Sequence, residues 1–141
     1  MLPFTVFSNN TKRPIGMTTY MDIKPADKRL EIGWTWYRKS AQRTAVNTEC
    51  KLLLLTYAFE TLQCNVVKLT ANYFNDRSRR AIERLGAKFD GVLRSHRIMR
   101  NGAVCDFCTY SILANEWPTV KVNLESKLGY SLQSLLASSD L

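Results

Sequence analysis

Residues 31–62, EIGWTWYRKSAQRTAVNTECKLLLLTYAFETL, constrain the fold more than any other stretch of the chain. Residues 31–37 read as a strand, 38–46 as a polar loop, and a long helix opened by Asn47 and Thr48 follows. Asn suits an N-cap because its side-chain oxygen accepts an otherwise orphaned amide, and Glu49 then meets the positive end of the helix dipole. Leu52, Leu55, Phe59 and Leu62 recur at helical spacing, with Leu54 and Ala58 widening the stripe, so one helix face is expected to be buried against a sheet. A second β run, 66–73, comes next. Strand, helix and strand in this order predict a crossover connection, with 31–37 and 66–73 lying parallel.

A strand that runs through a basic, amide-rich loop into a helix N-terminus is a natural phosphate cradle. The same unit is as common in purely structural settings, so the loop's contents decide between the two. They are Gln42, Arg43, Thr44, Ala45, Val46 and Asn47.

Upstream, 4–8 and 15–23 are β runs separated by the turn formers of 9–14, and after a turn at 25–28 residues 30–37 make the third strand of an antiparallel meander. Downstream, Asn75 caps a short helix that Gly86 ends, with Ala81, Ile82 and Leu85 inward and Arg77, Arg80 and Arg84 on the opposite flank. Runs 89–99 and 103–113 are joined around Asn101-Gly102, a strong hairpin signal. Pro118 suits the first turn of a helix whose Val120, Leu124 and Leu128 form a stripe, and Gly129 ends it. Residues 1–129 are therefore expected to form one domain. Residues 130–141 are expected as a C-terminal tail, either an amphipathic helix at an interface or a frayed end.

The loop sequence Gln42-Arg43-Thr44-Ala45-Val46-Asn47 resembles the pyrophosphate-binding loop of the GCN5-related N-acetyltransferases, whose pattern is Gln or Arg, two residues, Gly, one residue, then Gly or Ala. The stretches TECKLLLL (48–55) and NDRSRRAIERLGA (75–87) resemble the branch that includes the ribosomal-protein N-terminal acetyltransferases. The similarity runs over residues 3–128. It implies an α/β (α+β) fold in which a mixed, mostly antiparallel sheet has one parallel, splayed strand pair and flanking helices. It also implies acetyl-coenzyme A as cosubstrate, no metal, and an amine acceptor, either a protein N-terminus or a small molecule. By resemblance the pantetheine arm bonds backbone groups around Trp34, Thr35 and Trp36, the loop from Gln42 through Thr48 holds the pyrophosphate, and Asn75, Ser78 and Arg80 contact the coenzyme. The Trp34 and Trp36 side chains are expected in the core.

The sequence departs from the family pattern at two positions. Ala45 stands where Gly is usual and Asn47 at the second small-residue position; Gly adopts positive φ freely and Ala does so at a cost, so a weaker hold on the coenzyme is the expectation. Family members usually begin with an additional strand and two helices that shape the acceptor side, and this chain is expected to start after them. Either it is a compact member or a partner subunit supplies the missing wall. Exposed apolar surface left there makes a homodimer plausible.

Composition narrows the alternatives. A chain of 141 residues with 45% hydrophobic and 23% charged residues fits one globular domain. There is no apolar run of spanning length and no charged leader at the start, so no membrane association and a cytoplasmic location are expected. Cys105 and Cys108 lie three apart in a strand and point to opposite faces, and His96 is the only histidine, so zinc is not expected and the four thiols are read as reduced. The net charge of +8 suits an anionic partner. Nucleic acid is disfavoured because no recognition motif or aromatic ladder accompanies the basic residues, whereas a coenzyme with three phosphates accounts for the surplus.

Acetyl transfer to an amine needs a neutral nucleophile, stabilisation of the developing oxyanion and a proton for the leaving thiolate. The resemblance implies direct transfer in a ternary complex, so Cys50 is left out of the site. Glu31 is the candidate base, set against a surface carboxylate paired with Lys28 or Arg29. A backbone amide near Trp36 is the candidate to polarise the carbonyl. Tyr110 is the candidate proton donor, set against a packed strand tyrosine with a satisfied hydroxyl. His96 is a further candidate base, set against bystander or acceptor-side lining. Rival functions are a non-catalytic coenzyme-binding module of the same fold and a basic nucleic-acid-binding domain.

Overall fold

A computed structural model describes residues 1–139, with side chains to residue 137. Strands β1 (Leu2–Phe7), β2 (Pro14–Lys24) and β3 (Arg29–Tyr37) form the antiparallel meander. Helix α1 (Val46–Thr56) continues through a π turn (Tyr57–Thr61) and crosses to β4 (Val66–Asn72). Then come α2 (Asp76–Arg84), β5 (Lys88–Ile98), β6 (Val104–Leu113), α3 (Trp117–Leu128) and α4 (Leu132–Ser139). The six strands make one sheet in the order β1-β2-β3-β4-β6-β5, antiparallel except where β3 meets β4.

The crossover helix explains that parallel pair. Leu52, Leu54 and Leu55 of α1, with Ala58 and Phe59 of the π turn, join Leu30 and Ile32 of β3 and Val67 and Leu69 of β4 in one buried cluster. Burying a Leu or Phe side chain is worth about 1.5–3 kcal/mol, so the stripe holds the helix on this sheet face. Leu62, expected in the stripe, is instead 43% exposed. Its N–H bonds the Tyr57 carbonyl, five residues back, at 2.9 Å, and the wider π turn carries the next side chain off the buried face. Tyr20 of β2, buried at 1% exposure, fixes the helix from the other direction by donating its hydroxyl to the Leu54 carbonyl.

Trp117, Val120 and Leu124 of α3 are buried, and the Trp117 ring stacks on Phe59 with centroids 5.4 Å apart. The segment after Gly129, expected as a tail that is either an amphipathic helix or a frayed end, forms helix α4, and its Leu132 and Leu135 belong to the core cluster. Gly129 at φ +77 makes the turn between the two helices. Residues 140 and 141 of the expected tail lie outside the described residues. All four cysteines are free thiols, Cys64 and Cys108 buried and Cys50 and Cys105 half-buried. Among the described residues no helix is long and apolar enough to cross a membrane.

Candidate functional site

The site begins where β3 and β4 stop pairing. Their register runs from Arg29 opposite Val66 to Ile32 opposite Leu69 and ends there, although β3 continues to Tyr37 and β4 to Asn72. A bulge in β3 accompanies the divergence: Thr19 faces Gly33 but Met17 faces Trp36, which gives β3 one extra residue, and Trp34 adopts φ +48. The β3 edge beyond Ile32 thus has no strand partner on its β4 side, and a cleft of about 1180 Å³ opens there.

Trp34, Thr35 and Trp36 all line this cleft. The Trp34 and Trp36 side chains are 58% and 53% exposed, which corrects the expectation that they are core residues. With no β4 partner beyond Ile32, β3 has little on its cleft side to bury them against. Thr35 faces the helix layer, where its Oγ1 lies 2.8 Å from Thr18 Oγ1 and accepts a hydrogen bond from Lys51 Nζ at 3.1 Å. Lys51 is 5% exposed, and burial pushes its ammonium down to about 8.

The loop between β3 and α1 is held by its own side chains and leaves its amides open. The Gln42 amide group donates to the Tyr37 carbonyl at 3.0 Å, and Thr44 Oγ1 donates to the Ala41 carbonyl at 2.5 Å. The Gln42 N–H bonds the Arg38 and Lys39 carbonyls, and the Val46 N–H reaches Thr44 Oγ1 at 3.3 Å. The N–H groups of Arg43, Thr44, Ala45, Asn47 and Thr48 have no acceptor among the described residues. Five open amides at the positive end of a helix form an anion site. Gln42, Arg43, Thr44, Ala45, Asn47 and Thr48 line the cleft; Val46 does not.

Two expectations about this loop are corrected. Ala45 lies at φ −67, an ordinary right-handed conformation, and the left-handed residue is Arg43 at φ +60, so Ala in place of Gly carries no backbone penalty. The helix starts at Val46 with Ala45 at the cap position. Asn47 does not cap it, because its Oδ1 accepts the hydroxyl of Tyr37 at 3.0 Å.

Helix α2 forms the facing wall. Asn75 caps it by accepting the Ser78 N–H at 3.0 Å, so the Asn75 Oδ1 is already engaged. Asn75, Ser78 and Arg80 line the cleft, together with Arg77 and Arg84. Arg77 Nη2 donates to Gln42 Oε1 at 3.3 Å, tying this wall to the amide loop.

The two catalytic candidates separate. Glu31 lines the cleft, and its Oε1 accepts the hydroxyl of Thr70 at 2.6 Å. It makes no ion pair with Lys28 or Arg29; Arg29 instead approaches Asp22 and Asp27 at 3.6 and 3.7 Å. Tyr110 does not reach the cleft. It is fully buried on the α2 side, where its hydroxyl accepts from Arg79 Nε at 3.1 Å and donates to Glu83 Oε1 at 3.0 Å. This is the packed, satisfied tyrosine of the alternative reading, and the geometry does not support a proton donor there. His96 packs against Phe107, its ring centroid 5.8 Å away, and is likewise off the cleft lining.

Sequence reasoning missed Thr70, Lys51 and Arg97, all on the cleft. For Thr70 a signal existed: Lys68, Thr70 and Asn72 alternate with the buried Val67, Leu69 and Ala71, which marks a polar strand face. Among the described residues no group of three or more His, Cys, Asp or Glu is placed to hold a metal ion.

Comparison with known proteins agrees with this geometry. A family model described as an acetyltransferase (GNAT) domain matches residues 1–88. YdaF of Bacillus subtilis (strain 168), whose name marks it provisionally as a ribosomal N-acetyltransferase, is 33% identical over 102 residues, covering 72% of this chain and 55% of that protein. A crystal structure of a GCN5-related N-acetyltransferase from Brucella melitensis superposes with a TM-score of 0.85 at 30% identity, over 89% of this chain and 56% of the other. A variant of the spermidine N-acetyltransferase SpeG from Vibrio cholerae gives a TM-score of 0.73 at 20% identity, over 82% of this chain and 66% of the other, a likeness of fold. The chain thus spans a little over half the length of YdaF and of the Brucella melitensis protein.

Proposed function

This chain belongs to the GNAT acetyltransferase family, and from that membership we propose that it transfers acetyl from acetyl-coenzyme A to a primary amine by direct attack in a ternary complex. The observation that carries the proposal is the set of five open N–H groups between Arg43 and Thr48 beside the gap between β3 and β4. The residues present fit the coenzyme. The amides suit a pyrophosphate, Arg77 and Arg80 add guanidinium charge on the facing wall, and the unpartnered β3 edge at Trp34, Thr35 and Trp36 offers backbone groups to a pantetheine arm. When bound, acetyl-coenzyme A supplies the thioester.

Two of the remaining tasks fall to groups of this chain, and the leaving coenzyme A thiolate takes its proton from water. Glu31, its carboxylate oriented by Thr70, takes the proton of the acceptor amine directly or through water. An amide of the β3 edge near Trp36 polarises the carbonyl as it becomes negative. None of the four cysteines lines the cleft, which favours direct transfer over an acyl-cysteine route.

Calorimetry with acetyl-coenzyme A, followed by thiol-release assays over small amines and peptide N-termini, tests the proposal. Saturable binding with turnover of at least one amine is the expected result. Binding without turnover would replace it with a coenzyme-binding module, and capture of DNA or RNA without coenzyme binding would replace it with a nucleic-acid-binding domain.

A further inference from the structure

We propose that Arg97 forms an anion subsite on the acceptor side of the cleft and selects peptide N-termini that carry an acidic side chain one or two residues beyond the reacting nitrogen; this rests on the acetyltransferase reading. Two distorted strand segments converge on this side chain. In the β5–β6 pairing Leu93 faces Phe107 but Arg97 faces Cys105, so β5 holds two extra residues, with Ser95 at φ +50. The bulge is pinned by the Ser95 N–H donating to Asp106 Oδ1 at 2.7 Å. Bulges of this kind re-aim a side chain. Here Arg97 is carried over the Phe107 ring, 5.0 Å from its centroid, and towards Trp34, 5.7 Å away, the residue that is itself left-handed in the β3 bulge.

The guanidinium is therefore placed by two aromatic faces, yet its donors are unused. Among the described residues the Arg97 guanidinium makes no hydrogen bond and no ion pair. The contrast with Arg79 is informative: it also lies over an aromatic ring, that of Tyr73, but donates to Tyr110 and to the Tyr73 carbonyl. A stacked guanidinium with a free donor fork is matched to a carboxylate, which it binds in two parallel hydrogen bonds. Arg97, Trp34 and Glu31 line the same cleft. Trp34 is three residues along β3 from Glu31, at most about 10 Å of backbone, so the amine and the anion are held at separate points of the cleft. That spacing fits an acidic side chain in the second or third residue of a peptide better than the α-carboxylate of a free amino acid.

The test uses the full chain, loaded with coenzyme A for binding and supplied with acetyl-coenzyme A for turnover, and three probes: the peptide amides Ser-Glu-Ala-Ala and Ser-Gln-Ala-Ala, and L-serine. Binding is read by calorimetry and acetyl transfer by thiol release. The acidic peptide is expected to bind about 10-fold more tightly than its amide twin, as one charge-assisted contact provides, and L-serine to bind most weakly. Arg97→Met is expected to make the two peptides equal, and Arg97→Lys to restore part of the difference. Equal binding of the two peptides to the wild type, binding of neither, or a preference that survives in Arg97→Met overturns the proposal. Tighter binding of L-serine than of the acidic peptide overturns the spacing. Failure to bind acetyl-coenzyme A would count against the acetyltransferase reading instead, and the calorimetric comparison of the peptides would still be read on the unloaded chain.

Discussion

Thr70 of β4 donates its hydroxyl to the Glu31 carboxylate of β3 at 2.6 Å, one residue beyond the last register pair that joins the two strands. The bond fixes the carboxylate at the point of divergence and leaves its second oxygen for a substrate. If Glu31 is the base, Glu31→Gln lowers kcat by about 10²–10⁴-fold, while calorimetry finds acetyl-coenzyme A bound nearly as before. A kcat within a few-fold of wild type would remove Glu31 from the chemistry.

The amide loop permits a substitution that deletes one donor and little else. Ala45 sits at φ −67, close to the angle proline requires, and its N–H has no acceptor among the described residues. Ala45→Pro is expected to preserve the melting temperature and weaken acetyl-coenzyme A by about 10-fold or more, the value of a hydrogen bond to a charged group. Ala45→Gly is expected to give no gain in affinity, since no positive φ needs relieving. Tighter binding by the Gly variant would show that the loop rearranges on binding.

Arg43 provides the complementary experiment. Its left-handed φ of +60 disfavours any residue with a Cβ, and Arg43→Gly is expected to stabilise the fold by roughly 0.5–1 kcal/mol in chemical denaturation. Loss of stability instead would mean that the arginine side chain makes up more than its backbone costs.

Lys51 predicts a pH dependence. Its ordinary value of 10.5 falls to about 8 in the fold, so between those pH values the unfolded chain holds a proton that the folded chain has released. Stability from this group therefore rises with pH across that window. Below it the fold carries the whole cost of burying the ammonium, on the order of 3 kcal/mol for such a drop. Lys51→Met, of similar shape, is expected to be more stable than wild type at pH 7, with the advantage shrinking towards pH 10 in urea titrations. An advantage that stays constant with pH would contradict burial as the cause.

Much of this architecture was legible in the sequence, because the deciding signals are local. The leucine stripe of α1, the Asn75 cap with its Gly86 stop, and the Asn101-Gly102 turn each follow from periodicity or backbone preference within a few residues, and the crossover rule then makes β3 and β4 parallel. What was not legible depends on neighbours distant in sequence. Trp34 and Trp36 look like core residues until β4 is seen to leave β3 at Ile32. Asn47 looks like a cap until the Tyr37 hydroxyl, ten residues earlier, is found to occupy it. Tyr110 carries a reactive group, yet Arg79 and Glu83 engage it from a helix about thirty residues away. Lys51 sat unnoticed in an apolar helix because nothing in helical spacing announces a threonine on β3 as its partner.

The central claim is that the open amides of the β3–α1 loop receive the coenzyme's pyrophosphate. Backbone amide NMR during a titration with coenzyme A tests it most directly. Saturable shifts are expected at Arg43, Thr44, Ala45, Asn47 and Thr48, with smaller ones at the β3 edge from Trp34 to Trp36. Unchanged resonances in that loop at saturating coenzyme A, or shifts confined to another face of the molecule, would contradict the account.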